Sequence, residues 1–377
     1  MEALLPPPSE LVSAIRSTCA TITAQGGITI EPAKIDEYIQ SVPQEDWERE
    51  SGPEKHGVRL PLVFDSVEEE LDVLGTLGLL NFLSGHRHAL HRLTGRGAFS
   101  TIQMLVLSAY ISSSDNPDSS ILTAHGMRQA TVAQLADLAR IETHVEKAHP
   151  TLGNAVKVGE KDDEAFEILG LLAGVLNKTG EMLERLGKRS MGAWLLEKLV
   201  EAEGGGAKLV HDLASTFPAF RDVHLVDSQP VFILKKALWL VTVISLAFRT
   251  RELSDVPFKV PDISSFPVFA DNVLPTLLVH HGILDLSASS DPALRSLSLS
   301  TPSSLTLSSA SATRLRAASI VACSAIVSRA HELATQLGKE WLASWTEQEL
   351  DGWLWSEGKR ADLREVERIA EKGTVYY

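Results

Sequence analysis

The chain has 377 residues, 44% of them hydrophobic and 22% charged, with a formal charge of −14 from 35 Lys+Arg against 49 Asp+Glu. That composition supports an ordinary globule with an ample core. It argues against gripping a long phosphate backbone, because such affinity comes from basic side chains displacing counterions.

A local pair of basic groups can still hold one phosphate whatever the global sign. The two cysteines, Cys19 and Cys323, support neither a disulfide framework nor a thiolate zinc site, so a reducing compartment, the cytoplasm or the nucleus, is expected. The opening MEALLPPPSE is acidic and proline-broken, unlike a secretory or mitochondrial leader. No long polar linker divides the sequence, so one large domain over 1–377 is predicted.

In chain order, Ser9 is the predicted N-cap of a helix reaching about Gln25, with Leu11, Ile15 and Ile22 on one stripe and Gly26-Gly27 ending it. Pro32 opens a second helix. Residues 44–56 read as a charged loop ending at His56-Gly57. A lone histidine there is a solvated or capping group on one reading, and a substrate ligand on the other, since imidazole titrates near neutrality. Ser66 followed by Glu68, Glu69 and Glu70 announces a strong helix, from whose end the amide of Asn81 emerges. His86, His88 and His91 form an HxHxxH pattern without thiolates or an evident supporting shell, so no metal is expected. Gly95 and Gly97 flank Arg96 ahead of a helix over 98–110, a weak sign of a phosphate-cradling turn.

Residues 112–120 read as a loop, 131–139 as a short helix and 151–163 as a connector. Further helices are predicted over 163–186, 191–200 and 207–215. Residues 223–234 alternate around Asp227-Ser228, which fits a small hairpin or a buried entry into the helix 235–248. Lys235 and Lys236 interrupt the most apolar run, 231–248, and the remainder is too short to cross a bilayer, so no membrane partner is expected. Their stems either snorkel or carry an ammonium to an anionic group in a pocket.

The stretch SFPVFADNVLPTLLVHHGILDL, 265–286, is the most heavily punctuated part of the chain. Pro267 and Pro275 exclude a straight helix through both and a central strand. Asp271 stands near the N-cap of a helix that stops at Gly282. If the chain is still extended there, Phe269 and Asp271 leave on the same side, and a ring beside a carboxylate suits a flat heterocycle. The plainer reading is a helix cap preceded by a core phenylalanine. Residues 288–311 are serine-rich and fit a mobile insertion, and helical periodicity returns over 312–337. In WLASWTEQELDGWLWSEGKR, Asp351 and Trp355 are four apart and share a helix face. A carboxylate beside large rings is partly desolvated, which raises its pKa and fits it for proton transfer or for meeting a developing cation. A surface acid beside core tryptophans is the alternative.

Taken together, LPLVFDSVEEELDVLGTLGLLNFLSGHRHALH, FRDVHLVDSQPVFILKKALWLV, FPVFADNVLPTLLVHHGILDL, LDGWLWSEGKR and the terminal TVYY resemble the queuosine salvage protein family, the queuosine 5′-phosphate N-glycosylases. The resemblance implies an all-α fold similar to helix-hairpin-helix DNA glycosylases. It also implies hydrolysis of the N-glycosidic bond of queuosine 5′-monophosphate, releasing queuine and ribose 5-phosphate, with no cofactor and no metal. On that match His56, Phe269 and Asp271 bind the nucleotide, Asp351 is the catalytic carboxylate, Lys235 takes the phosphate, and Asn81 and Trp355 line the pocket. The expected partner is a small nucleotide rather than a nucleic acid. Where relatives often carry FADYRLPQ, this chain has Asn272, Val273 and Thr276 in place of the tyrosine, arginine and glutamine, and Ser356 replaces an acid. Two other classes compete, a non-catalytic helical scaffold and a nucleosidase for an ordinary purine nucleotide.

Overall fold

A computed structural model describes residues 4–51, 62–113, 119–149, 151, 153–252, 255–299, 306–364 and 366–377. Helices dominate: 17 α-helices and three two-stranded antiparallel ladders are present among the described residues, so the mostly helical expectation holds. His56 lies outside the described residues. The chain groups into two compact units, one of Met1–Val63, Lys198–Glu371 and Tyr376–Tyr377, the other of Phe64–Glu197 and Lys372–Val375.

In the first unit, the helix Leu11–Gln25 buries Leu11, Ile15, Cys19, Ile22 and Thr23 along one stripe. Its start differs from expectation, because Ser9 falls inside a 3-10 turn, Pro8–Glu10, rather than capping the helix. Pro32 does open the next helix, Pro32–Ser41. Residues 44–50 are not loop: Gln44–Glu50 is a helix that buries Trp47, whose indole stacks on that of Trp345 with centroids 3.7 Å apart and planes 6° from parallel. One buried tryptophan among six polar residues is too sparse a pattern to show as periodicity.

Val223–Val226 and Gln229–Phe232 form the expected hairpin. Asp227 and Ser228 both take positive φ, 50° and 65°, as a two-residue hairpin turn that matches strand twist requires. The helix Lys235–Phe248 follows directly. The longest helix, Ser309–Leu337, is capped by the Ser308 hydroxyl accepting from the Ser311 N–H and ends at Gly338 in the left-handed region. It is long and apolar enough to cross a bilayer, yet 72% of its most apolar window is buried inside the protein, as for a core helix. Of the serine-rich stretch, 300–305 lie outside the described residues; the rest holds the short helix Pro292–Arg295 and a fully buried Ser289 that donates to the Gly26 carbonyl at 3.0 Å.

In the second unit, Ser66 caps the helix Val67–Leu80 by accepting from the Glu69 N–H at 3.1 Å. The helix Asp163–Arg185 runs from an Asp162 cap to Gly187, and Met191–Ala202, which passes into the first unit at Lys198, and Gly206–Thr216, within the first unit, appear as read. The 151–163 connector is instead largely the second strand of a hairpin, Gly153–Lys161 against His144–His149. Its valines alternate with charged residues and face solvent, so no apolar run marked it.

The helices Val67–Leu80 and Met191–Ala202 meet where Gly192 leaves no room for a side chain. A Cβ there would enter the envelopes of the Glu68 carbonyl oxygen and of Asp72 Oδ1. The Gly192 N–H donates to Asp72 Oδ1 at 2.5 Å. Burial pushes the Asp72 carboxyl up to about 7, against the opposing hydrogen bonds from Ser190 and Gly192. An unfolded aspartate titrates near ~4, so between about 4 and 7 the folded chain binds a proton that the unfolded chain lacks, and this group's contribution to stability falls as pH rises. Asp72→Asn keeps an acceptor for Gly192. Relative to wild type, its thermal midpoint is expected to be unchanged near pH 4 and progressively higher up to about pH 7, with a constant difference beyond it, by scanning calorimetry across that range.

Candidate active site

The site is built on the first unit, from the chain over 263–272 and the helices Lys235–Phe248 and Glu347–Glu357. The last of these is well nucleated. Thr346 and Glu349 form a reciprocal capping box, with the Glu349 N–H donating to Thr346 Oγ1 at 3.2 Å and the Thr346 N–H to Glu349 Oε2 at 3.0 Å. Further along, Trp353 Nε1–H donates to the Tyr38 hydroxyl at 2.9 Å, which donates to the buried Glu357 at 3.0 Å.

One side of this helix holds the irregular chain in register. Gln348 Nε2 donates to the carbonyls of Ile263 and Phe266 at 3.0 and 2.8 Å, Glu347 accepts from the Val268 N–H, and Asp351 Oδ1 accepts from the Phe269 N–H at 2.8 Å. A segment punctuated by Pro267 and Pro275 cannot satisfy its own backbone by regular structure, so side chains do it. Beyond it, Asp271 Oδ1 accepts from the Val273 N–H at 2.7 Å at the entry to the helix Val273–His280, which stops before Gly282 at φ +70°. The expected cap thus sits one residue before the N-cap proper, Asn272.

Phe269, Asp271, Asp351 and Lys235 therefore come together. Asp351, Lys235 and Phe269 are only 6%, 5% and 3% exposed, and Asp271 is half-buried. Burial lifts the Asp351 carboxyl well above the usual range, the Asp271 charge lifts it further, and the Phe269 N–H and the Lys235 ammonium pull it down. Burial likewise lowers the Lys235 ammonium, to about 8, against the attraction of Asp271 and Asp351. Two acids and a lysine thus share a region with little water, where each charge acts at low dielectric. Trp355 lies one turn beyond Asp351, half-buried, with the Lys359 ammonium over its ring. Asn81 closes the helix Val67–Leu80 in the second unit.

Sequence reading missed the groups that fix this arrangement. Arg316, on the helix Ser309–Leu337, grips the Asp222 carboxylate through both terminal nitrogens at 3.0 and 2.6 Å, and its Nε–H donates to the Ala270 carbonyl at 2.8 Å. Both side chains are at most 2% exposed. Asp222 also accepts from His224 Nε2 at 2.8 Å and from the Lys235 N–H at 3.2 Å. Burial works against its charge, but Arg316 and His224 hold the carboxyl below the ordinary range. The Tyr377 ring covers the guanidinium, 4.1 Å from centroid to Cζ. An arginine inside an alanine-rich helical run was the signal available for it.

The departures at 276 and 356 are locally satisfied. Thr276 Oγ1 donates to the Asn272 carbonyl at 2.7 Å and accepts from the Ile369 N–H at 3.2 Å, while Ser356 Oγ donates to the Glu50 carbonyl at 3.4 Å.

A mostly helical protein with one buried and one half-buried carboxylate beside a buried lysine is the class this geometry defines. The family model described as queuosine salvage protein matches residues 104–377, and the chain belongs to that family. The matched span contains Lys235, Phe269, Asp271, Asp351 and Trp355. Over 113 residues the chain is also 32% identical to the queuosine 5′-phosphate N-glycosylase/hydrolase of Bos taurus, a stretch covering 30% of this chain and 31% of the length of that relative.

Proposed function

We propose that the protein hydrolyses the N-glycosidic bond of queuosine 5′-monophosphate to queuine and ribose 5-phosphate. The single observation that carries the proposal is Asp351: a carboxylate buried in the wall of a site, tied to the backbone of the segment bearing a ring and a second acid. In this reading Phe269 stacks on the deazaguanine and Asp271 accepts its edge hydrogens, with Trp355, one turn beyond Asp351, beside them. The ring is nearly covered, so a neighbouring side chain gives way as the base enters.

The base leaves with the electrons of the C–N bond, and positive charge develops over C1′ and the ring oxygen of the ribose. Asp351 meets that charge or takes a proton from the attacking water; water supplies hydroxyl to C1′, and its proton goes to the departing base. A raised carboxyl suits either task. It is a stronger base than an ordinary aspartate, and its ionised form is stabilised more by a nearby cation when water is excluded. The protein would act on a free nucleotide in the cytoplasm or nucleus, and its acidic surface fits a substrate without a long backbone.

Lys235 is assigned to the phosphate, and its pKa sets a pH dependence. The ammonium is charged below about 8 and neutral above it. The kcat/KM profile, which reports the free enzyme, is expected to fall on the alkaline side with a limb near pH 8, and that limb should vanish for the queuosine nucleoside, which has no phosphate. A substrate panel tests the reading as a whole. Turnover of queuosine 5′-monophosphate well above that of GMP, AMP and IMP supports it, and equal turnover of all four replaces it by a general purine nucleosidase.

A further inference from the structure

The structure assigns the buried pair Asp222–Arg316 as the positioning device that registers the base-holding segment against the phosphate-holding helix. This deepens the proposed function and rests on it. Three observations converge. Arg316 Nε–H holds the Ala270 carbonyl, the peptide between Phe269 and Asp271, at 2.8 Å. Its two terminal nitrogens hold Asp222, and Asp222 in turn accepts the first N–H of the helix that begins with Lys235, at 3.2 Å. The chain enters that helix through Leu234 at φ +53°, which offers no side-chain cap of its own, and the Asp222 carbonyl also accepts the Ile233 and Leu234 N–H groups at 3.1 and 3.2 Å, so Asp222 holds the entry through backbone and side chain together.

A guanidinium has its donors in a rigid fork, so a carboxylate on one edge and a carbonyl on the third N–H define one relative placement. Lysine, with a single nitrogen on a flexible stem, cannot reproduce it. The pair touches no part of the proposed substrate: it acts through Phe269, Asp271 and Lys235. Asp351 is held separately, by its own helix and the Phe269 N–H, so disturbing the pair should loosen substrate binding more than it slows the chemical step.

The test is steady-state kinetics of Arg316→Lys on queuosine 5′-monophosphate, with wild type and Arg329→Lys in parallel. Arg329 pairs with Asp36 at 2.6 Å in the same unit, 13 residues further along the helix from Arg316, and controls for simple loss of a half-buried ion pair. In folded Arg316→Lys, KM is expected to rise at least about tenfold with kcat within about threefold, since misplacement on the ångström scale costs up to about a hundredfold in efficiency; Arg329→Lys should match wild type. Unchanged KM in folded Arg316→Lys overturns the inference, as does a parallel fall of active-site concentration and rate with KM constant, the mark of a purely structural role. Should Arg316→Lys give no folded protein, Asp222→Asn, isosteric and still an acceptor, is read by the same KM criterion. If wild type itself leaves the nucleotide intact, the proposed function fails instead, which keeps the two failures apart.

Discussion

Asp351→Asn is expected to lower kcat on queuosine 5′-monophosphate by at least about a hundredfold while leaving the affinity for the nucleotide within about threefold. A carboxylate that meets developing charge in a dry site contributes on the order of 3 kcal/mol, which is more than a hundredfold in rate. The asparagine oxygen can still accept from the Phe269 N–H, now at 2.8 Å from Asp351 Oδ1, so the segment should keep its place. Stability should not suffer either. Burial lifts the carboxyl well above its usual range, so the native state is burdened by an ionised Asp351, and a neutral isostere removes that burden. A variant with a thermal midpoint at or above that of wild type, intact binding by calorimetry and little turnover is the expected combination. Full turnover would remove Asp351 from the chemistry.

Asp271→Asn is expected to act on binding first, raising the dissociation constant by about ten- to a hundredfold. A hydrogen bond to a charged acceptor is worth about 1.5–3 kcal/mol, and the amide presents a donor where the base edge also donates. Asparagine keeps an oxygen for the Val273 N–H, so the helix entry survives, which alanine would not ensure. A second effect follows from the coupling of the two acids. The Asp271 charge helps lift the Asp351 carboxyl, so neutralising it should move the acidic limb of the kcat profile to lower pH. Equilibrium binding together with a pH profile checks both. Unaltered affinity and an unmoved limb would separate Asp271 from the site.

How much of this was legible in the sequence differs by feature. Helices with apolar stripes and side-chain caps, such as Val67–Leu80 and Asp163–Arg185, were readable because cap and periodicity report the same boundary. The hairpin at 223–232 was readable from alternation around Asp227-Ser228. The helix Gln44–Glu50 and the strand Gly153–Lys161 were not, since the first buries a single tryptophan and the second exposes its valines. In the site, Phe269, Asp271, Asp351 and Lys235 were found from local pattern and family resemblance, and they fall together. Asp222 and Arg316 were passed over. They are 94 residues apart, and a pair that matters through what it holds leaves no local periodicity to read.

The most direct measurement is incubation of the full chain with queuosine 5′-monophosphate, followed by mass detection of the products against an Asp351→Asn control. The account predicts equimolar queuine and ribose 5-phosphate from wild type and almost none from the variant. Intact nucleotide after prolonged incubation with folded wild-type protein, or free base released equally by both, would contradict it.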